Sequence, residues 1–394
     1  MISSKKEASD LFILLVLFLL VSTIIFAQVG IKNVIDSPRY LNYASNLEDG
    51  FYIETHNFWY IGYVIFIFII RVLTDSYSEL NLILAQYVYS LFGLIFLYKT
   101  VKIFDGNTSA PLIGGILFLI FIEISIWNSY ILCESFYFNN FVMALYFLAG
   151  IFIQKKHTAK NILFSIFFLL LTAFSKPTGV VILLSLTGTA YVYFWVRSKT
   201  PQWFKVVIFV LGLSLIGFLL NIMLETFLII ENYQLGEIVY GVSRLPYKAE
   251  YNGLILPVPE LKTLSDRYPP LVKLFHFIFF NFDYWCLLFV KKVSYFLLHV
   301  RPYWSLKHNL YNIFILTPIF VLAIWQIINT KFIIRFFAFA YLGSHILIVG
   351  ITTVDWDGRF FLPLIPIIIL FAAQGINKLK FSLAKNMPGE VIEQ

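Results

Sequence analysis

The stretch from Leu11 to Val29 carries no charged residue, and apolar blocks of similar length recur to the end of the chain. A helix needs about 20 apolar residues to cross about 30 Å of hydrocarbon. In that solvent only helices and closed barrels satisfy every backbone polar group. The chain therefore reads as an all-α, polytopic membrane protein rather than a water-soluble domain. Its composition agrees: 60% of the 394 residues are hydrophobic and 13% charged, against about 25% charged in soluble domains. Reading the blocks against their breakers gives about ten spans, at 11–30, 80–98, 111–128, 134–153, 161–175, 178–196, 205–229, 309–328, 332–352 and 360–377. Two further apolar stretches, 58–72 and 273–299, carry charges: Arg71 in the first, and Asp283, Lys291 and Lys292 in the second. A charge at a helix centre costs about 2.5–3.5 kcal/mol on insertion, so both stretches are expected to lie along the membrane surface as interfacial helices.

Charge bias then orients the chain. With a cytoplasmic N-terminus, the short inner segments hold Lys5, Lys6, Lys99, Lys102, Lys155, Lys156, Lys160, Arg197, Lys199, Lys205, Lys331, Arg335, Lys378, Lys380 and Lys385. Only Glu7, Asp10, Asp105, Glu390 and Glu393 oppose them. The outer segments, leaving aside 230–308, carry Lys32, Arg39, Arg71, Lys176 and Arg359 against Asp36, Glu48, Asp49, Glu54, Asp75, Glu79, Asp355 and Asp357. This is the positive-inside pattern. It depends on 273–299 not crossing, since a further span there would invert everything that follows. Two large extracytoplasmic segments result, 31–79 and 230–308, within a single transmembrane domain spanning 1–394. The first apolar block follows Lys5 and Lys6 without a small-x-small cleavage site, and reads as a retained helix rather than a signal peptide.

Several classes are disfavoured. The net charge of +7 is accounted for by the inner loops and does not imply a nucleic-acid partner. Cys133 and Cys286, the only cysteines, cannot make a disulfide framework. The six histidines lack zinc-site spacing. No metal site and no cofactor is assigned; a divalent metal is an alternative that no residue pattern supports. The Asn107-Thr108-Ser109 sequon falls in an inner loop. No internal repeat is evident.

Chemistry concentrates at the outer ends of the spans. After the first span the chain runs Asp36-Ser37-Pro38-Arg39-Tyr40, then Tyr43-Ala44, then Leu47-Glu48-Asp49-Gly50. Glu134 opens a later span in Cys133-Glu134-Ser135-Phe136-Tyr137, and Lys176-Pro177-Thr178-Gly179 breaks the apolar run between two others. Asp357-Gly358-Arg359-Phe360-Phe361-Leu362-Pro363 leads into the last span. In this order the elements resemble the first extracytoplasmic loop and the following landmarks of the GT-C superfamily of membrane glycosyltransferases. The resemblance is nearest to the protein O-mannosyltransferase and lipid A aminoarabinose transferase branch. Ser37 stands where that family often has a second acid, and His56-Asn57 where Pro-Pro is common.

The resemblance implies an integral membrane enzyme, of a bacterial inner or plasma membrane, with an extracytoplasmic active site. It would transfer a sugar from a polyprenyl phosphate-linked donor to a lipid, glycan or protein acceptor by inverting displacement. Asp36 and Glu134 are then the candidate catalytic carboxylates. Arg39 and Tyr40 position the loop. Lys176, Arg301, Lys307, His308 and Arg359 are candidates for the donor phosphate, because cations at helix ends make charge-assisted bonds to phosphate. Snorkelling of interfacial lysines competes with that role, most evenly at Lys307. Tyr284, Trp285, Tyr303 and Trp304 flank the second segment as candidate lining for a sugar or prenyl groove. Glu123 and Glu225 fall inside or near spans, where ionisable residues are expensive, and have no assigned role. A transporter or flippase of a lipid-linked glycan, or an O-antigen-type polymerase, are the competing classes.

Overall fold

A computed structural model describes residues 2–385 apart from 55, 56, 77, 107, 227–232, 247, 248 and 252. His56, Asn107, Glu390, Glu393 and the Glu225 side chain therefore lie outside the described residues. The chain is all-α: the described residues contain no strand, only isolated bridges such as Lys32↔Tyr130 and Val239↔Val354. Nine of the described helices are long and apolar enough to cross a membrane, or up to ten if one bent pair forms a single span. The multi-pass architecture read from hydropathy is met.

The spans are composed differently from the sequence reading. The 58–72 stretch, expected at the surface, forms a 3-10 turn over Asn57–Tyr60 and a helix over Ile61–Thr74. Together they are long and apolar enough to cross. Arg71 sits in the last turn, 3.2 Å from both Glu48 and Asp75, so its charge lies at the helix end rather than its centre. The 273–299 stretch is two helices, Pro270–Phe280 and Phe282–Leu298, bent by 104°. Asn281 makes the break by bonding both main-chain groups of Lys262, at 2.9 and 3.0 Å. Residues 111–128 also divide, at Phe121, into Ala110–Ile120 and Ile122–Trp127.

In chain order the helices are α1 (Ile2–Val29), α2 (Ser37–Asn46), α3 (Ile61–Thr74), α4 (Glu79–Asp105), α5 (Ala110–Ile120), α6 (Ile122–Trp127), α7 (Glu134–Phe152), α8 (Ala159–Ala173), α9 (Val180–Arg197) and α10 (Gln202–Thr226). They continue with α11 (Pro270–Phe280), α12 (Phe282–Leu298), α13 (Leu306–Tyr311), α14 (Thr317–Ile328), α15 (Phe332–Ile351) and α16 (Ile365–Lys385). Where the sequence reads as one transmembrane domain, the packing groups the chain into two compact units. Unit 1 comprises Met1–Leu184, Pro318–Ala338 and Leu362–Gln394; unit 2 comprises Ser185–Thr317 and Phe339–Phe361.

Within unit 1, α7 and α16 are the inner helices, largely buried, with α4 and α5 packed on them. Several of the polar groups that α7 carries inward are paired locally, although Asn139 Oδ1 has no hydrogen-bond partner. Asn139 and Asn140 donate to the carbonyls of Ser135 and Phe136 at 2.9 and 2.7 Å, and the Tyr89 hydroxyl donates to Asn140 Oδ1. Such pairing is what an apolar interior demands. Within unit 2, α10 shows Leu211, Leu215 and Phe218 on its exposed surface, the face a lipid-contacting helix presents.

The α8–α9 junction positions a functional residue. The amide of Gly62 in α3 donates to Phe174 O at 2.8 Å, and Lys176 follows in extended conformation. At Gly179 an added Cβ would run into the carbonyl oxygens of Thr172 and Ala173, whereas one at Gly188 on α9 would meet open space. Gly179→Ala is therefore expected to lower the thermal midpoint of the detergent-solubilised protein by several degrees. Gly188→Ala should leave it unchanged or raise it slightly, since Ala exceeds Gly by up to about 1 kcal/mol in helices. Equal midpoints for the two variants would contradict this packing.

Candidate functional site

In unit 1 the candidate site starts at α2. Tyr40, Tyr43 and Ala44 recur at helical spacing and are buried, which fixes one face of this helix inward. Asp36 and Arg39 then share its half-exposed edge, with Arg39 Nη2 3.5 Å from Asp36 Oδ1. Pro38 in the first turn presets the helical φ, and the Ser37 hydroxyl accepts the Val34 amide at 2.9 Å. Asp36 lies at the helix N-terminus, where the macrodipole favours a negative charge. The Arg39 guanidinium rests over the rings of Tyr40 and Tyr60, at 4.9 and 4.6 Å, and donates to the Tyr40 hydroxyl at 2.9 Å. The segment closes at Gly50, whose φ of 126° and ψ of 161° suit only glycine.

Main-chain bonds tie this loop to the start of α7. Lys32 donates to Ser129 O at 2.9 Å, and Ile131 donates to Lys32 O at 3.0 Å. Gln86 holds the same turn by donating to Asn128 O and Tyr130 O, both at 2.9 Å, while accepting the Tyr63 hydroxyl at 2.8 Å. Beside it Glu134, buried in the first turn of α7, lies 3.3 Å from Lys176 Nζ, itself buried. Lys176 Nζ is also 5.8 Å from the Tyr137 ring centroid, and the Cys133 thiol approaches Glu134 Oε2 at 3.6 Å. Burial pushes the Tyr40 phenol well up, and interactions with Cys133, Tyr60 and Glu134 add to the push while Arg39 opposes it. Five residues singled out in the sequence thus converge within unit 1: Asp36, Arg39, Tyr40, Glu134 and Lys176. Lys176 meets a carboxylate of the protein itself, which makes it the counter-ion of Glu134.

Unit 2 carries the remaining candidates around the segment after α15. The main-chain oxygens of this segment are taken in succession by side chains and a neighbouring strand-like run. Ile351 O accepts the Tyr233 hydroxyl, Thr352 O accepts Lys292 Nζ at 2.7 Å, and Val354 O accepts the Tyr240 amide at 2.8 Å. Asp355 O accepts Arg301 Nε and Nη2 at 3.3 and 3.0 Å, and Trp356 O accepts the Tyr303 hydroxyl at 2.7 Å. Arg301 Nη1 donates to Tyr295 O and Val300 O, both at 2.8 Å. All three guanidinium nitrogens of this buried residue therefore meet carbonyls, and Arg301 acts as an anchor of the segment. Arg359, half-buried, keeps its Nε 3.6 Å from Asp357 Oδ1. Lys307 is exposed at the start of α13. The His308 ring packs on Trp304 at 4.4 Å, and Arg301 lies over the same indole at 5.1 Å. The ring centroids of His299 and His308 lie 6.3 Å apart.

Some residues escaped the sequence reading. Tyr60 supports Arg39, but nothing in Asn57-Phe58-Trp59-Tyr60 signals that. Lys292 counted only as a charge opposing a span, yet it is fully buried with its Nζ 4.8 Å from the Tyr233 ring centroid. Of the aromatic candidates, Tyr284 donates to Tyr233 O at 2.8 Å and Trp285 packs on Phe289, whereas Tyr303 and Trp304 adjoin the Arg301 cluster.

The described architecture is that of a multi-pass membrane protein with ionisable clusters at helix ends. The chain is similar to ArnT from Cupriavidus metallidurans in its apo crystal structure. The TM-score is 0.48 and the sequence identity 14%, over 94% of this chain and 61% of that one. The chain thus spans about three fifths of the length of that solved protein. No family model matches the sequence, and no curated protein matches it.

Removing one partner of a buried ion pair costs about 3–5 kcal/mol, because the other charge is left uncompensated. Lys176→Met is accordingly expected to destabilise the protein strongly, and Glu134→Gln combined with Lys176→Met to recover most of the loss. Thermal unfolding of the single and double variants checks this. A double variant no more stable than Lys176→Met would show that the two charges are not coupled.

Proposed function

We propose that the protein is a GT-C-type membrane glycosyltransferase, moving a sugar from a polyprenyl phosphate-linked donor to an extracytoplasmic acceptor with inversion. The observation that carries this reading is the convergence in unit 1 of Asp36 and Arg39 with the buried Glu134–Lys176 pair through Tyr40. The donor's lipid keeps its phosphate at the membrane boundary, and that is where a multi-pass enzyme needs a carboxylate. In the proposed step the acceptor hydroxyl gives its proton to Asp36 and its oxygen attacks the anomeric carbon. The bond from that carbon to the phosphate oxygen breaks, and polyprenyl phosphate leaves with the electron pair. A positioned base contributes about 10²–10⁴-fold.

The supporting roles divide by environment. Asp36 is half-exposed and open to an acceptor. Glu134 is buried against Lys176, and suits positioning of Tyr40 and of the loop above it. Of the phosphate candidates, Arg359, Lys307 and His308 retain partly exposed side chains, while Lys176 and Arg301 are assigned to positioning. The acceptor is a lipid, a glycan or a protein, and the membrane a bacterial inner or plasma membrane. A second reading, translocation of a lipid-linked glycan, is favoured by one feature, the 104° break between α11 and α12, since broken helices recur in transporters.

In proteoliposomes supplied with polyprenyl phosphate sugars, Asp36→Asn is expected to lower transfer by about 10²–10⁴-fold with an unchanged thermal midpoint. Wild-type transfer by this variant would falsify the assignment of the base. Lipid-linked glycan crossing the bilayer with no sugar transferred would favour the transporter instead.

A further inference from the structure

Asp355 in unit 2 is only 3% exposed, and neither of its carboxylate oxygens has a hydrogen-bond partner. A buried carboxylate in that state is expensive, and such groups in folded proteins point to a missing partner or a function. Its charge is already answered: Arg301 Nη2 lies 3.8 Å from Asp355 Oδ1. That nitrogen donates instead to the Asp355 main-chain oxygen at 3.0 Å. The site therefore lacks hydrogen-bond donors and does not lack positive charge. A neutral ligand rich in hydroxyls fits this deficit better than an ammonium group or a metal ion.

The neighbouring rings point the same way. Tyr303 and Trp356 stack at 3.9 Å with planes 7° apart, and Tyr251 meets both edge-on at 6.1 and 5.6 Å. All three side chains are partly exposed. Tyr303 also donates to Trp356 O at 2.7 Å, so the platform is locked to the residue that follows Asp355. Burial pushes the Tyr303 phenol up, and its position feels both Arg301 and the Asp355 carboxylate. Flat aromatic faces accept the C–H face of a pyranose, and a carboxylate accepts two adjacent hydroxyls.

We propose that Asp355, with the Tyr251–Tyr303–Trp356 platform, forms a carbohydrate subsite for a neutral sugar ring bearing vicinal hydroxyls. It deepens the glycosyltransferase reading by assigning a sugar-recognising surface to unit 2, but its evidence does not depend on catalysis.

The test uses the full-length protein in nanodiscs and saturation-transfer NMR with methyl α-D-mannopyranoside, methyl α-D-glucopyranoside and methyl β-D-galactopyranoside as probes. At least one glycoside is expected to receive saturation from the protein. Asp355→Asn should weaken that binding by about tenfold or more, the worth of a hydrogen bond to a charged group. Its thermal midpoint should fall, because the buried Arg301 loses its opposite charge, so binding is read well below that midpoint. Trp356→Leu should weaken the same glycoside. No saturation transfer to any of the three from wild type, or undiminished binding by Asp355→Asn, overturns the subsite. Glycoside binding by a wild-type protein that transfers no sugar leaves the subsite standing and overturns the transferase reading instead.

Discussion

Two opposite charges buried together in apolar surroundings cannot be separated without a penalty of several kcal/mol, and Glu134 and Lys176 stand in that relation. Much of the candidate site in unit 1 depends on their pairing. Glu134 begins α7, an inner helix of the unit, and Lys176 occupies the break between α8 and α9, so the pair joins two parts of the chain at one point. The Glu134 charge acts on the buried Tyr40 phenol, Arg39 packs on Tyr40, and Asp36 pairs with Arg39. The outer carboxylate thereby inherits its position from an inner pair that solvent barely reaches.

Unit 2 uses cations for a different purpose. Lys292 and Arg301 are buried, and both donate to main-chain oxygens of the segment after α15. A helix end leaves its last carbonyls without intrahelical partners, and in an apolar setting those oxygens must be satisfied elsewhere. The lysine, the arginine and the Tyr233 and Tyr303 hydroxyls do so in succession. The result is a stiffened segment that presents Asp355 and Trp356 from a fixed main chain, with Arg359 following. Stiffness of this kind is what a recognition surface requires, since every degree of freedom lost before binding is one that the ligand need not remove.

Not every part of this was equally readable from the residues. Asp36 with Arg39 was legible because the two lie one helical turn apart, and contact at that spacing is a local property. The partner of Lys176 was not, since Glu134 is 42 residues away and an interfacial lysine ordinarily snorkels to water. Arg301 read as an open phosphate fork, yet its partners include a carbonyl 54 residues distant. For the 58–72 stretch the charge was counted without its depth: Arg71 lies in the final turn of a helix long and apolar enough to cross.

The sequence by itself determined that the chain is helical and membrane-embedded, and where its charged breaks fall. Hydrocarbon imposes a length and a polarity on each segment independently, so those properties can be summed along the chain without knowing its neighbours. Only the tertiary structure decided what each charge at a helix end does. Whether a cation faces a carboxylate, a carbonyl or open space depends on segments far apart in sequence meeting in space. That meeting made Lys176 a counter-ion and Arg301 an anchor, and left the Asp355 carboxylate buried with its oxygens unfilled.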